Sequence, residues 1–243
     1  MRSLVESPNL YAKIAGLSYL LIIVLGASGY LFIREPLFVS GDAAATASNI
    51  LQAESIWRLS ITGDVLMHAL DIPVMIILFF LLKQVNKPLA IASVAFNLVQ
   101  TSVLVANKLL LLAPLFLLQS ADYVAAYDSA QLQAQVMLLV RLHDYGFGLG
   151  LIFFGFACIG YGLLMFHSGY LPKFLGILML IAGASYLINS LALLVAPSLT
   201  VFPILLFAVL GELTLALWLI LKGVDTEKWQ QAVGRSLPTA VKK

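Results

Sequence analysis

Nine polar side chains occupy positions where an apolar residue would be expected: Asp64, His68 and Asp71; Lys108; Arg141, His143 and Asp144; Asn189; and Glu212. Each lies in a long apolar run or at its end. Charge at bilayer depth is costly unless paired or hydrated, so ionisable groups in such runs mark candidate sites of function. Asp64, His68 and Asp71 recur at i, i+4 and i+7, which aligns them on one helical face. Set against the cations Lys108 and Arg141, the carboxylates Asp64, Asp71, Asp144 and Glu212 leave an excess of two negative charges. A compact cluster would have to protonate an acid, charge a histidine or bind a cation.

Several chemistries fit these residue types. The favoured reading is a buried site for a small polar or amphiphilic ligand, or for protons, in a carrier or regulatory binding protein. An alternative is a metal-dependent intramembrane hydrolase. There His68 and His143, with Asp64 and Asp144, would hold a transition metal such as zinc and leave a position open for water. Haem between the two histidines is disfavoured, because it gives the neighbouring acids and Arg141 no role. In the bland alternative the ionic network only sets helix register. Whether the chain is an enzyme stays open. No basic block or RNA-binding motif is present, so nucleic acid is not an expected partner; the lipid bilayer is.

The elements that must position these groups follow from composition. Of 243 residues, 61% are hydrophobic and only 11% charged, and mean hydropathy is +1.00. Soluble domains carry about a quarter charged residues. Six segments reach the roughly 20 apolar residues needed to span a bilayer: Tyr11–Ile33, Leu59–Leu82, Leu89–Leu118, Val136–Phe166, Leu171–Ala196 and Val201–Leu221. Strand alternation is absent. The expected fold is therefore all-α, a six-helix transmembrane bundle in residues 1–224, followed by a polar, frayed tail over 225–243. Pro88, Pro172 and Pro203 suit first turns, whereas Pro73 and Pro114 predict kinks.

With the N-terminus inside, Arg2, Lys13, Lys83, Lys87, Lys173, Lys222, Lys228, Arg235, Lys242 and Lys243 all face the cytoplasm, against Arg34 and Arg58 outside. That bias places both termini in the cytoplasm of a multi-pass protein in a bacterial cytoplasmic membrane. Short interfacial helices are expected in the two long outer loops, over Ala43–Ile56 and after Ser120, where Tyr123 and Tyr127 would share a face. At about 1.5 Å rise per residue, the polar groups gather in the outer half of the bundle, with Arg141 near its mouth orienting carboxylates. Gly146-x-x-x-Gly150, Gly155, Gly160, Gly162, and Gly176 with Gly183 read as helix-packing positions. Cys158 reads as a small core residue, and Trp57 and Tyr170 as interfacial anchors.

The run Arg141-Leu-His-Asp-Tyr-Gly-Phe-Gly-Leu-Gly-Leu-Ile-Phe-Phe-Gly155, then Gly160-Tyr-Gly, Ser168-Gly-Tyr-Leu-Pro-Lys-Phe-Leu-Gly176 and Ala182-Gly-Ala-Ser-Tyr-Leu187, resembles a prokaryotic membrane family. It is catalogued as domain of unknown function 4386. Gly211-Glu-Leu-Thr-Leu-Ala-Leu-Trp218 is similar to its closing signature. The resemblance covers nearly the whole chain and implies a small polytopic membrane protein. It implies no activity, cofactor or catalytic residue.

Overall fold

Apolar runs this long have one way to satisfy their backbone in lipid, the internally hydrogen-bonded helix. A computed structural model of the chain, which describes residues 7–200 and 204–236, is all-helical. Helix α1 runs Pro8–Ser28 and continues through a π turn, Gly29–Arg34, to Leu37. Then come α2 (Ala43–Gln52), α3 (Glu54–Leu82), α4 (Lys87–Asn107), α5 (Leu109–Gln119), α6 (Ala121–Ala126), α7 (Ser129–Ser168), α8 (Lys173–Val195), α9 (Ile204–Leu221) and α10 (Thr226–Ser236). Six stretches are long and apolar enough to cross a membrane: Pro8–Leu37, Glu54–Leu82, Lys87–Gln119, Ser129–Ser168, Lys173–Val195 and Ile204–Leu221. The protein is a polytopic membrane protein, and each expected span has its counterpart. Arg2, Lys242, Lys243, the side chain of Arg235, and Val201–Pro203 at the start of the expected sixth span lie outside the described residues.

Two compact units make up the chain. The first comprises Met1–Leu20, Leu70–Gln100 and Leu151–Lys243. Helices α7 and α8 pack closely, with glycines facing each other in two pairs. A Cβ added at Gly155 or Gly183 would strike the other's carbonyl, and Gly162 and Gly176 stand in the same relation. Two backbones can approach this closely only without side chains. The seven-residue spacing on each helix keeps both pairs on one face.

Of the tail expected to be frayed over 225–243, residues 226–236 form a helix, and 237–243 lie outside the described residues. Helix α10 is docked by Trp229, which is fully buried and donates its indole N–H to the Leu81 carbonyl at 3.1 Å. Tyr170 donates to the same carbonyl at 2.6 Å. Leu81 lies in the last turn of α3, where carbonyls have no helical partner. Tyr170 is therefore a buried clasp, not an interfacial anchor. The turn before α10 uses Gly223 at φ +66°, and Asn9 of α1 bonds both the Val224 N–H (2.8 Å) and the Thr226 hydroxyl (3.0 Å).

The second unit comprises Leu21–Ala69 and Thr101–Gly150. Its core joins Ala47 and Ile50 of α2 to Trp57, Ile61, Leu111, Leu115, Val136 and Val140. Helix α2 starts where the Asp42 carboxylate accepts the Ala45 N–H at 2.8 Å, an N-cap. It buries Thr46, Ala47 and Ile50. Trp57, expected at the interface, is buried as well and donates to the Leu111 carbonyl at 2.8 Å. That carbonyl neighbours the one that Pro114 deprives of its amide partner. Helix α7 begins earlier than the apolar run, at Ser129. Asp128 and Gln131 bond each other's backbone N–H at 2.8 and 3.3 Å, a reciprocal cap that starts the helix in a polar stretch. Tyr123 lies on α6, but Tyr127 is extended beyond its end, so the two do not share a helical face.

Candidate functional site

The structure gathers the sequence candidates around two centres, one within each unit, and leaves others outside.

In the second unit the centre is Asp64, 1% exposed on α3. Its Oδ2 accepts Lys108 Nζ at 2.7 Å and an Arg34 guanidinium N–H at 2.8 Å. Lys108 stands at the break between α4 and α5. There the helix tightens, with the Lys108 N–H bonded to the Val105 carbonyl. The sequence places Arg34 in the outer loop. It reaches Asp64 because the first helix continues past Ile33 through the π turn, which inserts a residue and rotates everything beyond it. Such turns have no sequence signature.

His143 of α7 is also buried, with Nε2 3.3 Å from Lys108 Nζ and Nδ1 3.4 Å from Asp144 Oδ1. Asn107 donates to the His143 carbonyl at 2.8 Å, and its amide fills the space where Gly146 lacks a side chain. Gly146 is thus a site residue as much as a packing one. Asp144 has 60% of its side chain exposed. Arg141 is exposed and, among the described residues, makes no ion pair, so it does not orient the carboxylates. Successive helical residues turn by about 100°; once His143 faces inward, Arg141 two residues earlier faces away. His68 is buried in this unit, one turn from Asp64 on α3.

A cavity of about 200 Å³ adjoins the cluster. Leu37, Phe38, Ile50, Trp57, Leu111 and Val140 form its apolar wall. Arg34, His143 and Thr46 supply polar groups, with Tyr30, Glu35 and Asp144 also lining it. Two atoms of the cluster are buried without a hydrogen-bond partner: Arg34 Nε and Asp64 Oδ1.

In the first unit the centre is Glu212 of α9. Its carboxylate accepts the Tyr186 hydroxyl at 2.5 Å. The Tyr19 hydroxyl approaches the same carboxyl, and Asp71 lies near enough for the two acids to repel. Tyr186 also packs on Phe154, ring centroids 5.3 Å apart. Asn189 follows Tyr186 on α8, and its Oδ1 is buried without a partner. Tyr19 was not among the sequence candidates, since a tyrosine in a first span reads as ordinary packing.

The proposed metal ligands fare differently. Among the described residues, no group of three or more His, Cys, Asp or Glu side chains is placed to hold a metal ion. His68, His143, Asp64 and Asp144 therefore do not form the expected set. Asp64 instead pairs with two cations, Asp144 turns outward, and His143 Nε2 faces an ammonium group.

A family model described as "Domain of unknown function (DUF4386)" matches residues 14–223. An uncharacterised protein from Archaeoglobus fulgidus is 29% identical over 169 residues, covering 68% of this chain and 83% of that relative. No solved structure matches the chain.

Proposed function

This chain belongs to the DUF4386 family, whose description carries no activity, and from the geometry of the second unit we propose that it binds a small amphiphilic anion in the cavity beside Arg34. One observation carries the reading. Arg34 lines the cavity with Nε buried and unpartnered, while its other end is held by Asp64. An unpaired buried donor is costly, and an anionic oxygen would relieve it with a charge-assisted bond.

Charge balance agrees. Arg34 and Lys108 share a single carboxylate, so the local excess is positive, the reverse of the sum over the sequence candidates alone. Glu35 and Asp144 are exposed, where hydration and salt weaken their repulsion of an incoming anion. The apolar wall suits a short hydrocarbon or ring. At about 200 Å³ the space is below the roughly 300–1,000 Å³ of drug-sized pockets, which limits the ligand to a small one.

The Lys and Arg bias supports cytoplasmic termini, and hence a cytoplasmic-membrane location. With Arg34 withdrawn into an ion pair, the outer connections carry still less positive charge.

The test uses purified full-length protein in nanodiscs. Octanoate and octyl phosphate, as carboxylate and phosphate probes, are titrated against tryptophan fluorescence, with Trp57→Phe reporting which signal arises at the cavity. Saturable quenching by either probe is expected, lost in Arg34→Met and in Val140→Trp, which fills the cavity without touching the ion pair. No saturable quenching by either probe, or quenching that survives both substitutions, would overturn the proposal.

A further inference from the structure

The wall of the larger cavity includes a carboxylate of the chain's own. Asp144 lines the cavity together with Tyr30, Arg34 and His143, and its Oδ1 is 3.4 Å from His143 Nδ1. That separation is long for a hydrogen bond from nitrogen to oxygen. The Asp144 side chain is exposed, and polar contacts open to water contribute little. His143, by contrast, is buried. Its ring stacks on Phe147 with centroids 6.4 Å apart, and its carbonyl accepts the Asn107 amide at 2.8 Å. A fixed ring therefore faces a loosely held acid.

The neighbours assign the ring's proton. His143 Nε2 lies 3.3 Å from Lys108 Nζ. An ammonium group only donates, so Nε2 accepts and the proton sits on Nδ1. Nε2 is turned to Lys108, which is not part of the cavity wall, and Nδ1 to Asp144, which is. The Nδ1–H is thus the ring's donor on the cavity side. Arg34 Nε is a second donor, buried and unbonded. Both side chains line the one cavity and both are anchored from behind, Arg34 by Asp64 and His143 by Lys108. Two fixed donors suit a head group with at least two acceptor oxygens. Granted the anion proposed above, on which this rests, we infer that its head bridges Arg34 Nε and His143 Nδ1 through two oxygens, as a carboxylate or a phosphate monoester can, and displaces the Asp144 carboxylate into water. Asp144 is then an internal competitor. It occupies the His143 donor until the ligand arrives, and it holds affinity below what Arg34 and His143 alone would give.

The experiment titrates octanoate and octyl phosphate into full-length protein in nanodiscs carrying Asp144→Ala, Asp144→Asn or His143→Phe, and into Asp144→Ala combined with His143→Phe. Asp144→Ala should tighten binding of the preferred probe about three- to tenfold, and His143→Phe should weaken it about tenfold, each roughly the value of one hydrogen bond. Tighter binding is an effect that damage to the fold would not produce. Asp144→Asn removes the charge but keeps an oxygen that can accept from Nδ1, so its gain should be smaller than that of Asp144→Ala. In the double variant the gain should vanish, because the contested donor is gone. Simple repulsion by Asp144 predicts instead equal gains for Asp144→Ala and Asp144→Asn, undiminished by His143→Phe. That pattern, or no gain from Asp144→Ala with either probe, would overturn the inference while anion binding at Arg34 stands. Absence of saturable binding to the unsubstituted protein would instead remove the earlier proposal and this one with it. Should His143→Phe not fold, the comparison of Asp144→Ala with Asp144→Asn decides alone.

Discussion

Replacing Asp64 by asparagine removes the anion that, among the described residues, bonds both Lys108 and Arg34, and the cost follows from the geometry. The carboxylate is 1% exposed and holds two cations at 2.7 and 2.8 Å through one oxygen. At an effective dielectric of about 20, a unit pair at that separation attracts by about 6 kcal/mol. Repulsion between the two cations and the dehydration of all three groups offset much of this. Removing one partner from a buried pair typically costs about 3–5 kcal/mol, because the survivor stays buried and unpaired. Asp64→Asn leaves two such survivors, so the upper part of that range is expected. Adding Lys108→Met to Asp64→Asn should recover about 1–3 kcal/mol, since it removes the more deeply buried cation and leaves Arg34, which reaches the cavity. Reversible unfolding by sodium dodecyl sulfate in mixed micelles measures both values. A loss below about 1 kcal/mol for Asp64→Asn, or a double variant no more stable than the single, would refute the three-charge unit.

Gly146→Ala should displace the Asn107 amide from His143 and cost about 1–3 kcal/mol as overpacking, seen in the same unfolding assay; Asn107→Ala in that background should make the alanine nearly neutral. Gly183→Leu should force α7 and α8 apart at the Gly155 carbonyl and cost more than Gly183→Ala, with the order of melting temperatures as the readout. Trp229→Phe should lose the hydrogen bond to Leu81, worth about 0.5–1.5 kcal/mol, and Trp229→Ala about 3–5 kcal/mol of buried ring. Both should raise amide exchange in α10 while leaving the second unit's exchange unchanged.

How much of this was legible without coordinates depended on the physics behind each residue. Span number and placement came from run length, because a bilayer imposes a minimum that few soluble sequences meet. The glycine positions on α7 and α8 were legible as packing sites for the same reason: a glycine inside an apolar helix is costly unless something approaches it. Asp64, His68, Lys108, His143 and Glu212 stood out as groups that need a buried partner, and they are all buried. Who partners whom was not legible. Arg34 joined Asp64 through a π turn, and Arg141 turned outward because one inward-facing histidine sets the phase of the whole helix. The aromatic residues Trp57, Tyr170 and Trp229 read as interface or tail until their N–H and O–H groups met carbonyls freed by a proline or a helix end. Sequence alone determined that this protein is a bundle of six apolar helices carrying ionisable groups that cannot be left in lipid. Tertiary structure decided that those groups gather at two centres, one in each unit, because helix phase and the nearest acceptor are set by packing between segments far apart in the chain.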